Sequence, residues 1–148
     1  MASRVTTEFA RASAAGEVDL NADTFYTRLV MSNTTVDTEN SGITTVAGYT
    51  TLDEHGTAGQ QTLANIAVNK DDANNRAEFD ADDVVYAALA AGARDVVGVL
   101  VCKQAGGAPA TSDLPCFFLE YATAKTPDGS NFTIQWNAEG IAQLTVPA

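Results

Sequence analysis

The chain has 148 residues, of which 45% are hydrophobic and 18% are charged; this composition supports one packed domain and excludes global disorder. Its 8 Lys+Arg against 19 Asp+Glu give a formal net charge of −11. Because a field of this sign repels nucleic-acid phosphates and anionic membranes, we expect neither as a partner.

The N-terminal segment, residues 1–17, offers two interpretations. Residues 6–15 are Ala-rich with Phe9 near their middle, and Gly16 follows, which is typical of a short helix that ends at a glycine. The same residues could instead form a mobile arm. They lack the continuous apolar run of a signal peptide, so we expect synthesis in the cytoplasm.

A strand is predicted over residues 25–31. Phe25, Thr27, Leu29 and Met31 would share one face of it, because strand side chains alternate between faces. The residues between them would lie on the opposite face.

Residues 32–62 form a long connection rich in Thr, Gly, Ser and Asn. A structureless connection of this length is unusual inside a compact domain. It either contains a short edge strand over residues 43–51 or is an extended loop that orders against a partner, and both can hold. Its isolated apolar residues are Val36, Ile43, Val46, Tyr49 and Leu52.

The segment from Ile66 to Val84 carries the clearest local signal. Apolar and polar residues alternate before and after an Asp/Asn-rich stretch at residues 70–75. Alternation predicts half-buried strands, and Asp and Asn favour turns. We therefore predict a β-hairpin followed by a second acidic corner.

The C-terminal half contains further strand patterns. Residues 96–101 are apolar on both faces, which is typical of a central strand covered on both sides. Strands are also predicted over 84–89, 116–121 and 132–136, and residues 141–146 close the pattern.

The predicted fold class is all-β. Seven to nine short strands and at most one short helix favour an antiparallel β-sandwich or a jelly-roll-like barrel, with a short N-terminal helix or arm. No repeated helical pattern supplies the crossovers of a parallel sheet. Residues 18–148 are thus expected to form a single β-sandwich domain with a long loop at 32–62.

Few residues offer catalytic chemistry. His55 is the single histidine, so any Ser-His-Asp or Cys-His mechanism would have to use it; its Gly-bounded loop predicts an exposed loop histidine instead. Cys102 and Cys116 could form a cross-strand disulfide, but cytosolic synthesis favours reduced, partly buried thiols.

The acidic residues admit a cation site as an alternative to turn formation. Asp71, Asp72, Asp80, Asp82 and Asp83 lie close in sequence, and calcium takes six to eight oxygen ligands. However, Ala73 occupies a ligand position of the helical calcium loop, and the glycine of that loop is missing. We therefore predict turn formation and solubility, with no catalytic, metal or cofactor site.

Four segments resemble a family of small tailed-bacteriophage virion proteins. Their order and spacing match along most of the chain from Gly16 onward, although 32–62 and 96–102 depart from the usual pattern. The segments are Gly16-Glu17-Val18-Asp19-Leu20-Asn21-Ala22-Asp23-Thr24, Asn75-Arg76-Ala77-Glu78-Phe79-Asp80-Ala81-Asp82-Asp83-Val84, Pro127-Asp128-Gly129-Ser130 and Phe132-Thr133-Ile134-Gln135-Trp136.

The resemblance implies a non-enzymatic capsid cement or decoration protein on the exterior of the virion. Its partner would be the major capsid protein, and it would itself form a dimer or trimer. Alternatives are a neck or tail adaptor, a fibre-associated protein, or a carbohydrate-binding β-sandwich for host adhesion. The residues predicted to contact partners are Phe9, Arg11, Ile43, Val46, Tyr49 and Leu52.

Overall fold

The structure, a computed structural model, describes residues 2–147. Met1, in the predicted segment 1–17, and Ala148, in the predicted domain 18–148, lie outside the described residues. Its main sheet has five antiparallel strands in the order β1-β8-β7-β2-β3. These strands are β1 (Ala2–Val5), β2 (Phe25–Met31), β3 (Gln61–Thr62), β7 (Val96–Lys103) and β8 (Leu114–Lys125).

Two smaller antiparallel sheets complete the strand inventory of the described residues. One has the order β10-β5-β4, and the other pairs β6 with β9. Their strands are β4 (Ala67–Asp71), β5 (Arg76–Asp80), β6 (Val84–Tyr86), β9 (Phe132–Ile134) and β10 (Ala142–Thr145).

The five-stranded sheet is the middle of three layers. Alternate residues of β7 enter two different hydrophobic clusters: Val99 and Val101 pack with residues of the smaller sheets, whereas Leu100 packs beneath residues 36–52. Both faces of this sheet are therefore covered, which explains why β7 is apolar on both faces.

The predicted all-β, sandwich-like class with a short N-terminal helix is confirmed. The hairpin predicted in 66–84 is present as β4 and β5, and the central strand predicted over 96–101 is β7. The strand expected over 132–136 is shorter, since β9 ends at Ile134. The N-terminal strand β1 was not predicted.

The N-terminal segment contains a helix, α1 (Thr7–Ala14). Thr6 caps it by accepting a hydrogen bond from the Phe9 N–H at 3.1 Å, and Gly16 follows with a positive φ of +72°. The Phe9 ring contacts Phe117, with 4.6 Å between centroids. This segment is therefore integrated into the core. Within the described residues, no helix is long and apolar enough to cross a bilayer.

The connection at 32–62 contains neither a strand over 43–51 nor a structureless loop. A 3₁₀ turn (Val46–Gly48) interrupts it, and the two-residue β3 ends it. The edge strand considered over residues 43–51 is therefore absent, whereas ordering of the connection against a partner stays a prediction. We call residues 32–52 the outer layer, because they cover the face of the main sheet that the smaller sheets leave open.

Candidate functional site

The outer layer is fixed to the sheet by buried apolar side chains and by backbone hydrogen bonds. Val36, Ile43, Val46 and Tyr49 are buried in one cluster with Phe118. The Val46 N–H donates to the Asp113 carbonyl at 3.0 Å, and the Ala47 N–H donates to the Thr111 carbonyl at 2.7 Å. The layer is thus an ordered part of the domain despite its loop-like composition.

The exposed residues of the outer layer between positions 38 and 50 are uncharged. The acidic groups nearby are half-buried, and Glu39 accepts hydrogen bonds from Thr35 and Thr50. The hydrogen bonds that Thr50 and Thr35 donate to its carboxylate lower the pKa of Glu39. The exposed residues are Thr38, Asn40, Ser41, Gly42, Thr44, Ala47, Gly48 and Thr50. We call this surface the neutral face.

A buried polar network lies between the main sheet and the segments that cross it. The Arg28 side chain is 4% exposed and pairs with Glu54, which is 21% exposed, at 2.5 Å. Its guanidinium also donates to the Tyr26 hydroxyl at 3.3 Å and lies 5.3 Å from the centre of that ring. Glu54 therefore gives the buried cation a counter-ion, which a charge removed from water requires.

The Tyr26 hydroxyl extends this network to Asp113. It donates to the Asp113 carboxylate at 2.9 Å, and the same carboxylate accepts from the Ala105 and Ala110 backbone N–H groups at 2.8 and 2.7 Å. Asp113 is 1% exposed. Asp113 thus fixes the conformation of the loop between β7 and β8. The carbonyls of Thr111 and Asp113 in this loop accept the hydrogen bonds from the 3₁₀ turn of the outer layer.

The structure places most of the predicted contact residues inside the molecule. Phe9, Ile43, Val46 and Tyr49 are buried, and Leu52 is half-buried. Arg11 is exposed, with Glu8 and Glu17 bound to its guanidinium at 2.7 and 2.6 Å. The hydrogen bonds that Arg11 donates to Glu17 and Glu8 raise the Arg11 pKa. Contact of these six residues with a partner stays a prediction. In the structure, the apolar residues among them anchor the outer layer and the helix to the sheet.

The expectation of an exposed His55 is wrong. His55 is 2% exposed, its backbone N–H donates to the Leu29 carbonyl at 2.9 Å, and the neighbouring Glu54 forms a bridge to Val30. Neither ring nitrogen has a hydrogen-bond partner in the described part of the chain. The ring instead lies against Gly92, which also lies close to the Met31 side chain.

Both cysteines are free and fully buried, in agreement with the reduced state expected of them. Burial raises the Cys102 pKa to about 12 and places that of Cys116 well above its ordinary value. Since the thiolate is the reactive form, these thiols behave as small apolar groups of the core.

Asp71 and Asp83, two acidic residues of 71–83, accept hydrogen bonds from backbone N–H groups. Asp71 accepts from the backbone N–H groups of Ala73 and Asn74, and Asp83 accepts from that of Trp136 at 3.0 Å. Within residues 2–147, no three candidate ligand side chains lie together as a metal site. Asp71 therefore forms a turn contact, as predicted, whereas Asp83 bonds a residue distant in sequence.

Arg28 and Asp113, two residues of the buried polar network, differ in how far the sequence indicates their role. Arg28 interrupts an otherwise apolar face of a predicted strand, and such a buried cation indicates a partner of opposite charge. Asp113 lies in a Pro/Gly-rich loop beside Ser112, and nothing local distinguishes it from a solvent-exposed acid.

Comparisons of the chain with models of known families, with curated proteins and with solved structures returned no match in any of the three.

Proposed function

We propose that this chain is a non-enzymatic structural protein of a tailed-phage virion, specifically a capsid cement or decoration protein. It binds the exterior of the head at joints between major capsid protein subunits, after assembly in the host cytoplasm. Copies self-associate as dimers or trimers, and no nucleic acid, membrane, cofactor or metal takes part.

The observation that carries this proposal is the neutral face of the outer layer. In a chain of net charge −11, the exposed residues between positions 38 and 50 carry hydroxyl, amide and backbone groups without any formal charge. Such a surface can approach a protein shell without the cost of desolvating ions. Its buried anchors hold these groups in place, which reduces the entropy lost on binding.

The sequence resemblance supports the same class of function. The four segments that resemble tailed-phage virion proteins map onto the approach to β2, the β5–β6 region, the turn before β9, and β9 itself. They belong to the scaffold, whereas the neutral face lies in the region where the chain departs from the usual family pattern. We therefore assign shell binding to the outer layer and a spacer role to the sheets.

The mechanism is mechanical clamping. Each copy would bury surface on two or more shell subunits, so that opening the shell requires breaking several contacts together. The acidic remainder of the surface disfavours capture of DNA during assembly.

Binding to purified shells tests this proposal. Heads of the encoding phage that lack the protein are mixed with wild type, Thr44→Arg or the matched control Thr133→Arg, which alters an exposed residue of β9. We expect hundreds of wild-type copies per particle, at least tenfold weaker binding by Thr44→Arg, normal binding by the control, and greater heat resistance of decorated heads.

The other outcomes overturn the proposal or redirect it. Absence of shell binding, or equal heat resistance with and without the protein, overturns the cement function. About six or twelve copies at one vertex would assign the protein to the neck or tail instead. No structural observation favours sugar binding, since nine of the aromatic side chains, Tyr49 included, are buried.

A further inference from the structure

A cleft opens between the edges of two sheets. It has a volume of about 420 Å³ and lies between β1, an edge of the five-stranded sheet, and β10, an edge of the three-stranded sheet. Val5, Phe117, Leu119, Trp136 and Ile141 contribute apolar surface to it.

No residue that lines this cleft has an ionisable side chain. In a chain of net charge −11, such a surface lets two copies meet with little electrostatic repulsion. The strand beside the cleft shares this property, since residues 141–147 contain no charged side chain. The β4 edge of the same sheet, by contrast, carries Lys70 and is followed by Asp72, both more than three-quarters exposed.

The free edge of β10 can accept another strand. The Val146 N–H donates to the Asn75 carbonyl at 2.8 Å, toward β5. Because successive residues of a strand direct their backbone groups to opposite sides, those of Gln143 and Thr145 point away from β5. Within the described residues, β10 has no neighbour on that side.

Large apolar side chains are exposed beside the cleft, on β1 and on β10 and the residues after it. Leu144 is 73% exposed, Val146 is 61% exposed and Val5 is 46% exposed. An exposed apolar edge strand without charges is a template for strand pairing. A two-fold antiparallel pair would use the same edge on both copies.

We propose that β10 of a second copy pairs with β10 across this cleft and forms a two-fold dimer. This deepens the self-association included in the proposed function by naming its surface, and it leaves the neutral face free for another contact. Because four-residue strands bury less than the ~1,200 Å² of a standard interface, the dimer is weak in solution, with a Kd of roughly 10–100 μM.

Sedimentation equilibrium of the full chain, without any shell, tests this inference separately from shell binding. Wild type should shift from the 15.4 kDa monomer to twice that mass with rising concentration. Thr145→Pro removes an outward N–H and should raise the Kd at least tenfold. Lys70→Pro is the matched control on the opposite edge of the same sheet. The Val68 N–H donates to the Asn21 side chain rather than to β5, so the Lys70 N–H, two residues later, also points outward. The Lys70→Pro variant should dimerise like wild type.

Gln143→Lys is a second variant that places a charge on the edge without altering the backbone, and thermal unfolding verifies that each variant is folded. A wild-type chain that remains monomeric at 1 mM overturns the inference. Equal association of wild type, Thr145→Pro and Gln143→Lys overturns it as well, because the dimer would then use another surface. Neither outcome of the dimerisation experiment decides whether the protein binds shells, so the two proposals can fail separately.

Discussion

Gly92 lies directly against the imidazole of His55. A Cβ placed on Gly92 would come within 2.7 Å of His55 Cδ2 and 2.8 Å of its Nε2, and within 2.9 Å of Met31 Sδ. The loop before β7 thus approaches the ring more closely than any residue with a side chain could. This loop therefore contributes to the burial of His55.

Gly92→Ala should destabilise the protein. The added methyl group would force His55 or Met31 from a packed position, and overpacking of this kind costs about 1–3 kcal/mol of the free energy of unfolding. Urea denaturation followed by circular dichroism measures the loss. Gly106→Ala is the control: a Cβ there meets nothing within 4 Å.

A second variant separates the steric effect from a backbone effect. If the contact with His55 is the cause, Gly92→Ala should cost less in a His55→Ala background than in wild type, because the two changes share one space. The same cost in both backgrounds would contradict the explanation.

Glu54→Gln should also destabilise the protein, because it removes the counter-ion of the buried Arg28 while preserving shape. We expect a loss of about 1–3 kcal/mol, below the roughly 3–5 kcal/mol typical of fully buried pairs, since Glu54 retains 21% exposure. The measurement is again the free energy of unfolding. Asp72→Asn, which breaks the exposed pair with Lys70, should change it by no more than about 0.5 kcal/mol.

Asp53 should contribute a component of stability that acid removes. Its hydrogen bond from Arg94 holds the Asp53 pKa below the ordinary value of 3.8. A carboxyl whose pKa is lower in the folded state stabilises the fold above its unfolded pKa, and this contribution disappears as the pH falls through the folded pKa. At neutral pH it should be about 1 kcal/mol, less than is typical of a buried hydrogen bond to a charged group, because the Arg94 side chain is 43% exposed.

Asp53→Asn tests this pH dependence with little change of shape, because Asn tolerates the positive φ of +48° found at this position. Wild type should be more stable than the variant near pH 7, and the two should converge as the pH falls below 3.8. A difference that stays constant across the range would show that the effect is not due to ionisation. Titration of the other carboxyl groups cancels in this comparison.

Ala88→Gly should stabilise the protein. Ala88 is exposed and has a φ of +47°, a left-handed conformation that costs most residues about 1–2 kcal/mol and glycine very little. After the greater freedom of glycine in the unfolded chain is allowed for, we expect a gain of about 0.5–1 kcal/mol. Thermal unfolding should show a higher Tm.

The neighbouring exposed residue provides the control for this change. Ala87 has no positive φ, so Ala87→Gly should lower the stability by a similar amount. Changes of the same sign at both positions would contradict the conformational explanation.

Local patterns in the sequence identified the strands that carry their own signal, either an alternation of apolar and polar residues or an unbroken apolar run. The β4–β5 hairpin follows from alternation around an Asp/Asn turn, and β7 follows from its unbroken apolar run. The strand β1 could not be found in this way, because Ala2–Val5 does not alternate and its partner in β8 lies more than 100 residues away.

The candidate site was less predictable for the same reason. The apolar residues of 36–52 were recognised, but their burial depends on a sheet face contributed by β2, β7 and β8. Likewise, His55 has the local context of an exposed loop, yet it is buried and lies against Gly92, which is distant in sequence. Burial of such residues is decided by tertiary contacts that no local pattern records.

The position of β1 has a consequence for synthesis of the protein. Val5 pairs with Phe117, and the Thr6 side chain donates to the Pro115 carbonyl at 2.5 Å. Strand β1 can therefore pair with β8 only after most of the chain has been synthesised, which at about 5–20 residues per second takes roughly 6–24 seconds. Because contacts so distant in sequence slow folding, we expect the main sheet to be completed late, with its N-terminal edge added after translation has passed β8.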